Sequence, residues 1–149
     1  MRRALPFILL MLAMAAVPAL RADDGKTVQI YANDMMKYDV ASIDAAPGQK
    51  LTVTLANAGT LPKAAMAHNF VLLKQGTDVA AFAAAGLTHP ETEYVAPELS
   101  GNVIVKTKLL GPGETDTVRF MAPATGNYDY ICTFPGHAQA GMRGTLLVK

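Results

Sequence analysis

Three side chains near the end of this 149-residue chain can donate to a metal ion, and they recur at intervals of five: Cys132, His137 and Met142. They sit in the stretch Tyr130-Ile131-Cys132-Thr133-Phe134-Pro135-Gly136-His137-Ala138-Gln139-Ala140-Gly141-Met142. Thiolate and thioether sulfur select Cu(I), and imidazole suits Cu(II) as well. A thiolate with two imidazoles in a trigonal array and a weak axial methionine is the ligand set of a blue electron-transfer centre. Each residue alone has an ordinary explanation: an inert core thiol, a hydrogen-bonded histidine, a core-filling methionine. Their joint occurrence in one short segment favours the metal.

The set needs a second imidazole, and the only other histidines are His68 and His89. His68 opens the apolar run His68-Asn69-Phe70-Val71-Leu72-Leu73, which reads as a strand and would hold a ligand rigidly. His89, in Thr88-His89-Pro90, falls in a segment with no clear period. His68 is therefore assigned as the ligand and His89 as a solvated loop histidine.

The elements that must position these groups read as strands. Lys50 to Asn57 alternates, with Leu51, Val53 and Leu55 on one face and Lys50, Thr52 and Thr54 on the other, the period of a half-buried strand. Residues 28–31, 68–73, 103–108, 115–121, 128–132 and 144–148 are further strand candidates, rich in β-branched and aromatic side chains. Pro47-Gly48, Gly111-Pro112-Gly113 and Thr125-Gly126-Asn127 punctuate them as turns. Only the alanine-rich Asp78 to Ala85, ending at Gly86, looks helical, and residues 87–102 read as a loop or flap. The spacing predicts an all-β, Greek-key β-sandwich with one short helix in a flap insertion. The metal-binding segment is then the turn between two strands, shaped by Pro135 and Gly136.

The chain opens with Met1-Arg2-Arg3, an apolar run from Ala4 to Leu20 and small residues before Asp23-Asp24-Gly25, the order of a secretory signal peptide. The run is short for a membrane-spanning helix, which needs roughly 20 apolar residues. Residues 1–22 are expected to be removed, with cleavage after Ala22 or alternatively Ala19, leaving one domain over residues 23–149. Removal takes Arg2, Arg3 and Arg21, leaving 10 basic against 12 acidic residues. No basic run remains, which argues against nucleic acid as a partner. An exported chain with a single cysteine has no disulfide partner for it.

Tyr130-Ile131-Cys132-Thr133-Phe134-Pro135-Gly136-His137 resembles the copper loop of the azurins, type 1 blue copper proteins of the cupredoxin class. Leu61-Pro62-Lys63-Ala64-Ala65-Met66-Ala67-His68-Asn69-Phe70 resembles the azurin segment carrying the first histidine. Val103 to Gly111 and Glu114-Thr115-Asp116 are similar to the azurin strand and turn after the flap. The resemblance covers the mature chain and implies one copper ion held by His68, Cys132 and His137, with Met142 as weak axial ligand. It also implies that the N–H groups of Asn69 and Phe134 face the Cys132 sulfur and that the Asn69 side chain ties to the loop near Thr133. Met36, Leu61, Met66, Phe134, Pro135, Ala138 and Ala140 would form an apolar docking patch around His137. The implied function is a periplasmic electron carrier that catalyses nothing itself. Its transient partners would be redox proteins such as c-type cytochromes or a nitrite reductase, with no stable membrane insertion after export.

Three departures stand out. The azurin disulfide is impossible with one cysteine. Phe70 and Ala67 stand where azurins have tryptophan and glycine. Four residues separate His137 from Met142, a spacing similar to auracyanins and rusticyanin. The chief rival is a copper storage or delivery protein; the other is an enzyme using Cys132 as nucleophile and His137 as base. No C-x-x-C-H motif for c-type haem and no cysteine quartet for an iron–sulfur cluster is present.

Overall fold

The computed structural model describes residues 25–149. The expected signal peptide, residues 1–22, and both of its cleavage sites lie outside the described residues. Two sheets face each other. The first runs in the order β2-β1-β4-β7 and uses β1 (Lys26–Asn33), β2 (Lys37–Tyr38), β4 (Lys50–Asn57) and β7 (Thr115–Met121). The second runs β3-β9-β8-β5-β6 and uses β3 (Ser42–Ala45), β5 (Val71–Leu73), β6 (Val103–Lys106), β8 (Gly126–Ile131) and β9 (Arg143–Val148). β1 lies parallel to β4, and β3 parallel to β9; the remaining pairings are antiparallel. This is the expected two-sheet sandwich.

The alternation in β4 does what its period dictates: Leu51, Val53 and Leu55 are buried and their neighbours are not. They meet Ile30 of β1 and, from the facing sheet, Leu72, Tyr130 and Leu146 in the main core. The second sheet also carries a smaller core on its outer face. Val71, Leu73, Ile131 and Ala138 pack there against Phe82, Ala83 and Val95. Covered on both sides, β5 is buried throughout and reads as a continuous apolar run rather than an alternating one.

Helix α2 (Val79–Gly86) supplies that cover, its first turn capped by the Asp78 carboxylate, which accepts from the Ala81 N–H at 3.0 Å. Gly86 is needed there because a Cβ would fall 2.0 Å from the Tyr94 carbonyl oxygen, where the flap folds back. Three expectations are corrected. A second helix, α1 (Lys63–Met66), precedes His68, and the flap holds two 3-10 helices, Pro90–Thr92 and Pro97–Asn102. The strand expected at 68–73 begins only at Val71. The strand expected at 103–108 ends at Lys106. No helix among the described residues is long and apolar enough to cross a membrane.

Candidate metal centre

His68 and Cys132 occupy the points where regular pairing stops at one end of the sandwich. Cys132 is the first residue past β8, and the link from β8 to β9 bends back on itself. Cys132 N–H donates to the Met142 carbonyl (3.2 Å), Met142 N–H to that of His137 (2.9 Å), and His137 N–H to that of Phe134 (3.1 Å). Gly136 (φ 83°) and Gly141 (φ 89°) make two left-handed turns that a side chain would strain. Across the gap, His68 leaves its strand yet exchanges two backbone hydrogen bonds with Leu110, at 3.1 and 2.8 Å. Thr107 holds the next residues by accepting from the Phe70 N–H through its hydroxyl (2.9 Å) and donating its own N–H to the Phe70 carbonyl (2.9 Å).

The result is a buried cluster. One nitrogen each of His68 and His137 and the Cys132 sulfur lie within 4.8 Å of one another, and Met142 stands beside them. Cys132 Sγ is 3.4 Å from His137 Nδ1, and the two imidazole rings are 5.0 Å apart. The sequence expectation that these four residues converge is met in geometry. His89 stays on the flap, where its Nδ1 is 3.0 Å from Glu91.

The cluster is tested as a metal site by what it leaves unsatisfied. Both ring nitrogens of His68 are buried without a hydrogen-bond partner. Burial lowers the His68 pKa below its ordinary value, outweighing the Asp34 carboxylate, which favours the protonated ring. Burial and the neighbouring His68 bring His137 down to about 4. A neutral His68 imidazole buried without a partner at either nitrogen costs free energy unless a hydrogen-bond donor or a metal ion engages its lone pair. Burial pushes the Cys132 thiol up to about 12, while the backbone N–H groups of Asn69 and Phe134 act against it by favouring the thiolate. A bound cation would remove that proton outright. The Ala67 carbonyl, where a glycine was expected from the resemblance, still turns inward, 3.9 Å from the sulfur. This donor set fits copper.

Around the donors the loops are stitched together. Asn69 Nδ2 donates to Thr133 Oγ1 (2.8 Å), and Thr133 N–H donates to Asn69 Oδ1 (2.9 Å), as anticipated. Two partners were not legible in the sequence. Tyr38, from the opposite sheet, donates its hydroxyl to the Asn69 carbonyl. Glu93, on the flap, accepts from the Thr133 hydroxyl (2.8 Å) through its carbonyl and pairs with Lys106 through its carboxylate. Of the seven residues expected in a docking patch, Leu61 and Ala140 are exposed and Met36, Met66, Phe134 and Pro135 are partly so. Ala138 is buried, its methyl in the smaller core beneath α2, so it adds little to that face. Met35, adjacent to Met36 in sequence, is 70% exposed.

Residues 25–149 match the family described as copper binding proteins, plastocyanin/azurin family. The chain is 36% identical over 144 residues to an azurin of Pseudomonas aeruginosa, covering 93% of this chain and 94% of that protein. It is 46% identical over 82 residues to auracyanin-B of Chloroflexus aurantiacus, a match spanning 54% of this chain and 35% of that one. Among solved structures, the auracyanin of Roseiflexus castenholzii superposes with a TM-score of 0.73 at 34% identity, over 83% of this chain and 96% of that one.

Proposed function

The chain belongs to the plastocyanin/azurin family of copper-binding proteins, and from that premise we propose that it is a periplasmic one-electron carrier with no catalytic activity of its own. The observation that carries the reading is the buried His68 imidazole, unpartnered at both nitrogens and within 4.8 Å of the Cys132 and His137 donor atoms. His68, Cys132 and His137 would hold copper strongly and Met142 weakly. The bound ion would supply a Cu(II)/Cu(I) couple acceptable to this mixed sulfur and nitrogen set.

The protein's own contribution is constraint. The Cys132–Met142 loop is closed on itself by backbone hydrogen bonds and pinned to Asn69 and Glu93. The donors therefore have little room to move as the charge changes, which keeps the cost of electron transfer low. Burial of all four side chains keeps water from competing for the metal. Exposed or partly exposed Met36, Leu61, Met66, Phe134 and Pro135 would supply an apolar face of the kind that suits brief docking with redox proteins such as c-type cytochromes or a nitrite reductase. Export by cleavage after Ala22 is part of the same proposal.

Voltammetry of the copper-loaded protein tests it. The expected result is a reversible one-electron wave with fast self-exchange between protein molecules. No reversible wave, together with rapid loss of copper to a soluble chelator, would move storage or delivery to the front.

A further inference from the structure

We propose that Tyr38 is a positioning residue of the metal centre. Its hydroxyl, by donating to the Asn69 carbonyl, fixes the Asn69 backbone N–H against the Cys132 sulfur and so sets the reduction potential. The potential part of this inference rests on the copper-carrier reading; the positioning part does not.

Asn69 follows a ligand and is held at every polar group. Its side chain is engaged twice, both times by Thr133. Thr133 belongs to the same loop as Cys132 and His137, so those two bonds let Asn69 and the loop shift together. The carbonyl is held differently. Tyr38 reaches it from β2, the edge strand of the facing sheet, and ties the ligand segment to the other half of the sandwich. The Tyr38 ring is itself fixed, packed on Tyr130 at 5.7 Å, with Tyr130 on Phe70 at 5.0 Å. Burial first, then the nearby Cys132, holds the phenol pKa well above its usual value, so the hydroxyl remains a donor.

Few donors face the sulfur. The N–H groups of Asn69 and Phe134 do so, and Pro135 has none to give. Hydrogen bonds to a ligating sulfur tune its potential. A donor stabilises the electron-rich thiolate of the reduced centre more than that of the oxidised one, so loosening the Asn69 N–H should favour Cu(II).

Tyr38→Phe removes only the hydroxyl and keeps the ring. Tyr130→Phe is its matched control, because the Tyr130 hydroxyl donates to the Val40 carbonyl (2.6 Å), away from the ligands. Two readouts are compared: the potential of the copper-loaded proteins, and hydrogen exchange of the Asn69 amide in the metal-free ones. Tyr38→Phe is expected to shift the Cu(II)/Cu(I) equilibrium about three- to tenfold toward Cu(II), the scale of one hydrogen bond. Tenfold is about 59 mV for one electron. Asn69 exchange should speed up in Tyr38→Phe alone. Equal potentials and equal exchange in the two variants overturn the proposal. So does a Tyr38→Phe protein that cannot fold while Tyr130→Phe folds, since the hydroxyl is then a stability element. A wild type with no reversible couple removes the carrier reading, and the metal-free exchange comparison still decides whether Tyr38 fixes the amide.

Discussion

Acidifying the metal-free protein from pH 7 to pH 5 is expected to cost about 2 kcal/mol of folding stability through His137 alone. In the fold its pKa is about 4, and unfolded it returns to the ordinary histidine value of 6.5. Between those values the unfolded chain binds the proton and the folded one does not, so stability falls as pH drops through about 6.5 and levels off below about 4. His68 is shifted in the same direction and adds to the effect. Asp34, Glu91 and Glu114 are held below the usual carboxylate range, so their contributions fade at lower pH than this window. Urea unfolding at fixed pH reads the change directly. With a slope of about 2 kcal/mol per molar, the midpoint should fall by about 1 M between pH 7 and pH 5. His137→Gln should lose most of that dependence. A metal-free midpoint that barely moves, or a pH dependence undiminished in His137→Gln, refutes the idea that the imidazole is buried and neutral; the part that His68 contributes stays in the variant.

Other consequences follow from the same geometry. Copper uptake at pH 8 should release about one proton per ion, from a thiol otherwise protonated up to about 12, measurable by titration in weak buffer. Thr133→Val strips partners from Asn69 and the Glu93 carbonyl and should lower stability by roughly 1–3 kcal/mol by denaturant titration. Gly144→Ala places a Cβ 2.2 Å from the Tyr130 ring and should cost roughly 1–3 kcal/mol, seen as a lower Tm. N-terminal sequencing of the exported protein should begin at Asp23; a retained Met1 would contradict cleavage.

The parts of the fold that announced themselves were those with a strong local signal. β4 alternates cleanly and its burial follows the alternation residue by residue. The donor loop was legible because thiol, imidazole and thioether are scarce side chains crowded into one turn. β2 and β3 were missed because two and four residues carry too little pattern to register. Helix α1 was hidden in Lys63-Ala64-Ala65-Met66, a single turn too short to carry a period, whose Lys63 pairs with Glu114 and whose Met66 carbonyl accepts from the Asn57 side chain, both distant in sequence. Tyr38 and Glu93 gave no signal because their role depends on long-range approach: Tyr38 meets Asn69 across 31 positions and Glu93 meets Thr133 across 40. Ala138 was misplaced outward because the smaller core beneath α2 cannot be inferred from the loop's own sequence.

The most direct test is the visible spectrum of the purified protein after one equivalent of Cu(II), recorded beside that of Cys132→Ser. An intense blue thiolate-to-copper band, bleached by reductant and absent from the variant, is the predicted result. A wild type that stays colourless, or shows only the weak absorption of ordinary Cu(II), contradicts a centre built from His68, Cys132 and His137.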